Sequence, residues 1–232
     1  MQPSPPPQPL PDLAVSVVLH FSPLEQLQAL LDSLHNAAVE AELSRVEVIC
    51  VDHSCDPDYA VSCQAFIAAH GAQTVGDNGL QLSLLKPDAN RGYGAGHNLA
   101  MSQLESQFHL ILNPDVELAP DAFKLALDTL KRQPNIALLA PQGFSPSGEP
   151  EFLAKAYPSV WVLGLRALAP HWLKIRLGGA LARYEMRDMP SETTLRPITL
   201  ASGCRMWVRR AVFDGVGGFD ESYFLYFEDH DL

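Results

Sequence analysis

The chain has little positive charge: 16 Lys and Arg stand against 27 Asp and Glu, a formal net charge of −11 over 232 residues. That balance excludes a general nucleic-acid binder, which must displace counterions with a cationic surface. A phosphate-bearing ligand would need local cations or a metal to offset the field. Cysteine is scarce too. Cys50, Cys55, Cys63 and Cys204 form no CxxC pair and no zinc-like spacing, so reduced thiols of a cytosolic protein are expected rather than a disulfide framework. No stretch approaches the ~20 apolar residues that span a bilayer. The opening "MQPSPPPQPLPDL" lacks the basic and apolar regions of a signal peptide, and its prolines mark residues 1–12 as an extended, flexible tail. Phosphate-binding fingerprints are also missing. "NRGYGAGHN" puts His97 where the last glycine of G-x-G-x-x-G belongs, and there is no G-K-[ST].

What is there alternates. At 47% hydrophobic, the chain suffices for one large domain or a domain with an appendage. "AVSVVLHF" (residues 14–21) and "VEVICVDH" (46–53) are continuous apolar runs of the kind buried on both faces of a parallel sheet. "LQLSLLKP" (80–87), "FHLILNPD" (108–115) and "IALLAP" (136–141) add three strands. Between them, helical spacing predicts helices over 23–36, 61–70, about 99–105 and 120–133. Proline sits at the first turn of the last, with Lys131 and Arg132 at its end. The alternation makes the fold α/β with a mainly parallel sheet. From 145 to about 196 the pattern becomes irregular, and "ITLASGCRMWVRRAVFDGVGGFDE" (198–221) restores a strand, a short helix and a turn.

Ligands of such sheets bind beyond the carboxyl ends of the strands, where Asp52, Asn90–Asn98 and Asp115 all fall. Asp115 either holds a hard cation on phosphate oxygens or caps the turn before the next helix. Asp52 either accepts from a nucleoside or initiates an Asx-turn with Ser54, Asp56 and Pro57. Gly92, Gly94 and Gly96 either let the backbone approach a ligand or form a plain turn, and Arg91 could meet a diphosphate. Glu228 and Asp229 follow "YFLYF", read as the last buried core segment; a carboxylate there would serve as general base toward an incoming hydroxyl. Residues 160–184 carry Arg166, Lys174, Arg176 and Arg183 with no acid. They read either as a surface lying on an anionic membrane or as two short helices capping the sheet.

Taken in order, the motifs Val51-Asp52-His53-Ser54, Asn90–Asn98, Leu112–Asp115, Ser202-Gly203 with Arg209-Arg210, and residues 217–232 resemble the family 2 glycosyltransferases, in their bacterial rhamnosyltransferase-like branch. The resemblance runs from residue 14 to 232. It implies a GT-A fold with a nucleotide-sugar-binding half (13–143) and an acceptor-side half (144–232) that is expected to be incomplete, because family members continue further. It also implies a dTDP- or UDP-sugar donor, Mg2+ or Mn2+, and an inverting single displacement onto a glycan or polyprenyl-linked acceptor. By motif position, Asp52 and Ser54 would meet the nucleoside, and Asn90, Arg91, Gly92, Asn98 and Asn113 would lie along nucleotide and sugar. Asp115 would hold the metal and Asp229 would be the base, with Glu228 second. His53 stands where the family has Asn. The resemblance places the protein in the cytoplasm, peripheral to the membrane, in cell-surface polysaccharide assembly. The alternatives are a donor-binding module without turnover and a sugar nucleotidyltransferase; against the latter, "LHFSPLEQ" lacks the glycine-rich basic loop expected after the first strand.

Overall fold

The computed structural model describes residues 11–73, 79–145, 147–151, 195–226 and 228–232. The segment 160–184 and most of the proline-rich tail lie outside these. The chain divides into two compact units, Met1–Leu139 with Cys204–Leu232, and Ala140–Gly203.

In the first unit the elements run β1 (Leu13–Leu19), α1 (Leu24–Glu40), β2 (Arg45–Asp52), α2 (Pro57–Gln73), β3 (Gly79–Leu85), α3 (Tyr93–Ser102), β4 (Phe108–Leu112), α4 (Ala122–Arg132) and β5 (Leu138–Leu139). The second unit contributes a small antiparallel pair, β6 (Gly143–Phe144) and β7 (Pro150–Glu151). The chain then returns to the first unit with β8 (Arg205–Arg209), α5 (Arg210–Val216) and α6 (Glu228–Asp231).

The sheet order is β3-β2-β1-β4-β8-β5. β3, β2, β1 and β4 are parallel, while β8 runs antiparallel to both β4 and β5. Every residue of β1 is buried, as expected of a strand covered on both faces. Its side chains alternate. Leu13, Val15, Val17 and Leu19 join the core built with α1, α4 and Trp207, where Phe123 meets the Trp207 ring edge-on at 5.4 Å. Val18 joins the smaller opposite cluster with Ile49, Val51 and Ala100 of α3. The registers Leu19 to Asp52 and Val17 to Leu112 bring the carboxyl ends of β1, β2 and β4 to one edge.

Three sequence expectations change. α3 begins at Tyr93, inside the glycine motif, not near residue 99. Its glycines are packing positions: a Cβ at Gly94 would lie 2.8 Å from Cβ of Phe219, and one at Gly96 would lie 2.6 Å from Cγ2 of Val18. "IALLAP" shortens to a two-residue strand paired antiparallel with β8. The "YFLYF" run is not a buried strand. Tyr223 is half-buried, and Phe224, Leu225 and Tyr226 are 58%, 51% and 72% exposed in a bent segment. The Phe224 carbonyl accepts from Tyr93 N at 3.1 Å.

Candidate active site

The site assembles from three turns at the sheet's carboxyl edge and one returning segment. After β2, Asp52 is buried and its Oδ1 accepts from Ser54 N at 2.9 Å. Ser54 Oγ accepts from Asp56 N at 3.2 Å, and Asp56 Oδ1 accepts from Tyr59 N at 2.8 Å. The turn is therefore an Asx-type relay into α2, and it delivers Asp52 to the edge. Beside it, Phe21 is 54% exposed at a φ of 53° and packs against the rings of His20 and Tyr59.

After β3, Asn90 Oδ1 accepts from Gly92 N at 2.9 Å. Gly92 has a φ of 98°, and a Cβ there would overlap the Phe224 carbonyl; only glycine suits both constraints. Arg91 is exposed and pairs with Glu221 at 3.4 Å, a solvated pair of small energetic worth. Asn98 has both ends of its amide on the chain itself. Oδ1 accepts from Phe219 N at 3.0 Å, and Nδ2 donates to Phe219 O at 2.8 Å and to Glu221 at 3.2 Å. It ties the Gly217–Glu221 turn to α3.

After β4, Asn113 N donates to Cys204 O at 2.9 Å, and its Oδ1 accepts from the Tyr93 hydroxyl at 3.0 Å. Two residues on, Asp115 is exposed. On the returning segment, Glu228 is buried against α3, and a Cβ on Gly94 would lie 3.6 Å from its Cβ. Asp229 is half-buried.

Tyr93 ties these parts together. Burial raises its phenol well above the usual tyrosine range, and the negative charges of Cys204, Asp229, Glu228 and Asp115 add to that shift. A hard divalent cation fits this edge. It asks for one or two carboxylates and completes its shell with water and substrate phosphates, and Asp115 offers one exposed carboxylate. Among the described residues no group of three or more His, Cys, Asp or Glu could hold a metal ion on its own.

Beneath the edge lies a polar feature that the sequence reading missed. Ser16 Oγ sits 2.6 Å from Nδ1 of His97 and 2.8 Å from Nε2 of His109, and all three residues are fully buried. Burial, then neighbouring His53, pushes the His97 imidazole down to about 3. Burial lowers His109 further than its neighbours His97 and Arg210 do. The available signals were a serine inside an apolar strand and a histidine in "FHLIL".

Comparison with known proteins agrees with this geometry. The model of Glycosyl transferase family 2 matches residues 17–217. An N-acetylglucosaminyl-diphospho-decaprenol L-rhamnosyltransferase of Mycobacterium tuberculosis is 36% identical over 161 residues, 64% of this chain and 51% of that protein. A low-salt glycan biosynthesis hexosyltransferase of Haloferax volcanii is 26% identical over 144 residues, 60% of this chain and 41% of that one. The chain thus spans about half the length of the curated relatives it matches. Among solved structures, a mannosyltransferase of Pyrobaculum calidifontis in complex with GDP-Man and Mn2+ superposes with a TM-score of 0.57 at 16% identity, over 94% of this chain and 50% of that one. TarS of S. aureus with UDP gives 0.54 at 18% identity, over 94% and 53%. These likenesses show the fold: a GT-A arrangement of a mixed, mainly parallel sheet flanked by helices.

Proposed function

Because the chain belongs to glycosyl transferase family 2, we propose that it moves a sugar from a dTDP- or UDP-sugar, with rhamnose the first candidate, to a lipid-linked glycan acceptor. The observation that carries this reading is that Asp52 ends β2 and Asp115 follows β4 at the sheet's carboxyl edge, while the segment bearing Glu228 and Asp229 is held to α3 through Tyr93 N–H to Phe224 O and through Glu228 beside Gly94. The mycobacterial relative, whose name specifies rhamnose and a polyprenyl diphosphate acceptor, supports the choice of substrates.

In this reading the acceptor hydroxyl oxygen attacks the anomeric carbon from the face opposite the nucleotide. The new C–O bond forms as the bond to the β-phosphate oxygen breaks, and the nucleoside diphosphate leaves with that electron pair. Asp229 takes the acceptor's proton, with Glu228 second in line. Asp52 and Ser54 meet the nucleoside, and Asn90, Arg91, Gly92 and Asn113 lie along the diphosphate and sugar. Asn98, expected there from its motif, has its amide engaged by Phe219 and Glu221 and holds their turn instead. Asp115 would hold Mg2+ or Mn2+, which when bound supplies positive charge to the leaving diphosphate. Among the described residues no helix is long and apolar enough to cross a membrane. Work on the cytoplasmic face, against a lipid-linked acceptor, is the setting this reading assigns.

The test is a thermal-shift screen of UDP-, dTDP- and GDP-sugars with and without Mn2+, followed by transfer to a polyprenyl-diphosphate N-acetylglucosamine. A metal-dependent shift with UDP- or dTDP-sugars and product formation are expected. A shift without product would favour a donor-binding module, and no shift with any nucleotide sugar would sink the reading.

A further inference from the structure

Resting on that reading, we infer that Tyr93 is a positioning residue that fixes the Asn113–Asp115 turn for the cation and locks it to the segment bearing the base. The argument starts from how completely the tyrosine is placed. Its N–H donates to Phe224 O at 3.1 Å, in the stretch leading to Glu228 and Asp229. Its ring meets the His97 ring edge-on at 4.4 Å and lies 6.5 Å from Phe219. With backbone and ring both fixed, the hydroxyl has one position, and there it bonds Asn113 Oδ1 at 3.0 Å.

Asn113 is held from its other side by N–H donation to Cys204 O, so the residue opening the turn is anchored twice. Asp115, two residues later and exposed, inherits its direction from that anchor. A metal ligand displaced by a fraction of an ångström coordinates poorly, since Mg2+ and Mn2+ demand close oxygen distances. The phenol suits the task chemically. Burial and the surrounding carboxylates keep it protonated, so it remains a neutral donor across the working pH range. An anion at that place would repel the nucleotide.

Tyr93→Phe removes the hydroxyl and keeps the ring. The experiment is calorimetric titration of UDP and of dTDP into the full chain at graded Mn2+ concentrations, with the melting temperature of the ligand-free protein as control. The Mn2+ concentration that half-saturates nucleotide binding should rise about three- to tenfold, the loss of one ordinary hydrogen bond. The melting temperature should stay within about 2 °C of the parent. Asn113→Ala should raise half-saturation at least as much, and adding Tyr93→Phe to it should cost nothing more, because the hydroxyl then has no Asn113 oxygen to hold. Unchanged half-saturation in Tyr93→Phe, or full additivity in the double variant, would overturn the inference while leaving the functional reading intact. A fall in melting temperature with no change in metal dependence would assign the hydroxyl to stability and overturn it as well. If the unaltered chain binds neither nucleotide in a Mn2+-dependent way, the functional reading fails and this inference falls with it.

Discussion

Asp115 and Asp229 are both carboxylates, yet the fold treats them differently. Asp115 stands exposed beyond β4, where an ion and a diphosphate can reach it, whereas Asp229 is half-buried next to the fully packed Glu228. Asp115→Ala should therefore weaken Mn2+-dependent nucleotide binding at least tenfold, as expected for a lost ionic ligand, with little change in melting temperature. Calorimetry decides this; unchanged binding would mean that the side chain merely ends its turn. At Ser16 the expectation is structural. Its hydroxyl joins the two buried imidazoles, and Ser16→Ala leaves their facing nitrogens unpaired. A loss of about 1–3 kcal/mol in urea unfolding should follow, the usual penalty for stranded buried polar groups.

At the scale of elements, α3 governs the site. Its first turn carries Tyr93, its second packs on β1 through Gly96, and Asn98 clamps the Gly217–Glu221 turn. Gly94→Ala would press a methyl group against Phe219, 2.8 Å away, and bring it into ordinary contact with Glu228. It should lower the melting temperature by several degrees and weaken nucleotide binding together; binding that survives unaltered in a destabilised variant would uncouple the helix from the site. This element also shows how far the sequence was legible. Strands β1 to β4 were readable because continuous apolar runs have few alternative fates. Their ends gave Asp52 and Asp115 from topology alone. The start of α3 was not readable, since glycine lowers helix propensity and masks a helix that tertiary packing stabilises. "YFLYF" misled for the opposite reason: its apolar content is real, but Phe224, Leu225 and Tyr226 are exposed, and the Phe224 carbonyl is bonded to Tyr93 N–H. Tyr93 itself was hidden because its partners lie 20 and 131 residues away.

For the whole molecule, buried histidines tie stability to pH. His97 titrates near 6.5 when unfolded and is held down to about 3 in the fold, with His109 lowered too. The unfolded chain therefore binds more protons between these values, and stability is lost as pH falls from about 6.5 toward 3. His97 faces His53 and His109, and His109 faces Arg210 as well, and these neighbours add to the cost of charging them. His97→Gln should flatten the slope of melting temperature against pH across that window; an unchanged slope would transfer the effect to other groups.

The most direct measurement of the central claim pairs Asp115→Ala with Asp229→Asn against the parent, reading nucleotide-sugar affinity with Mn2+ and sugar transfer on the same preparations. The account predicts that the first variant loses metal-dependent affinity, while the second keeps affinity and loses transfer. Equal loss of affinity in both, or transfer surviving in Asp229→Asn, would contradict it.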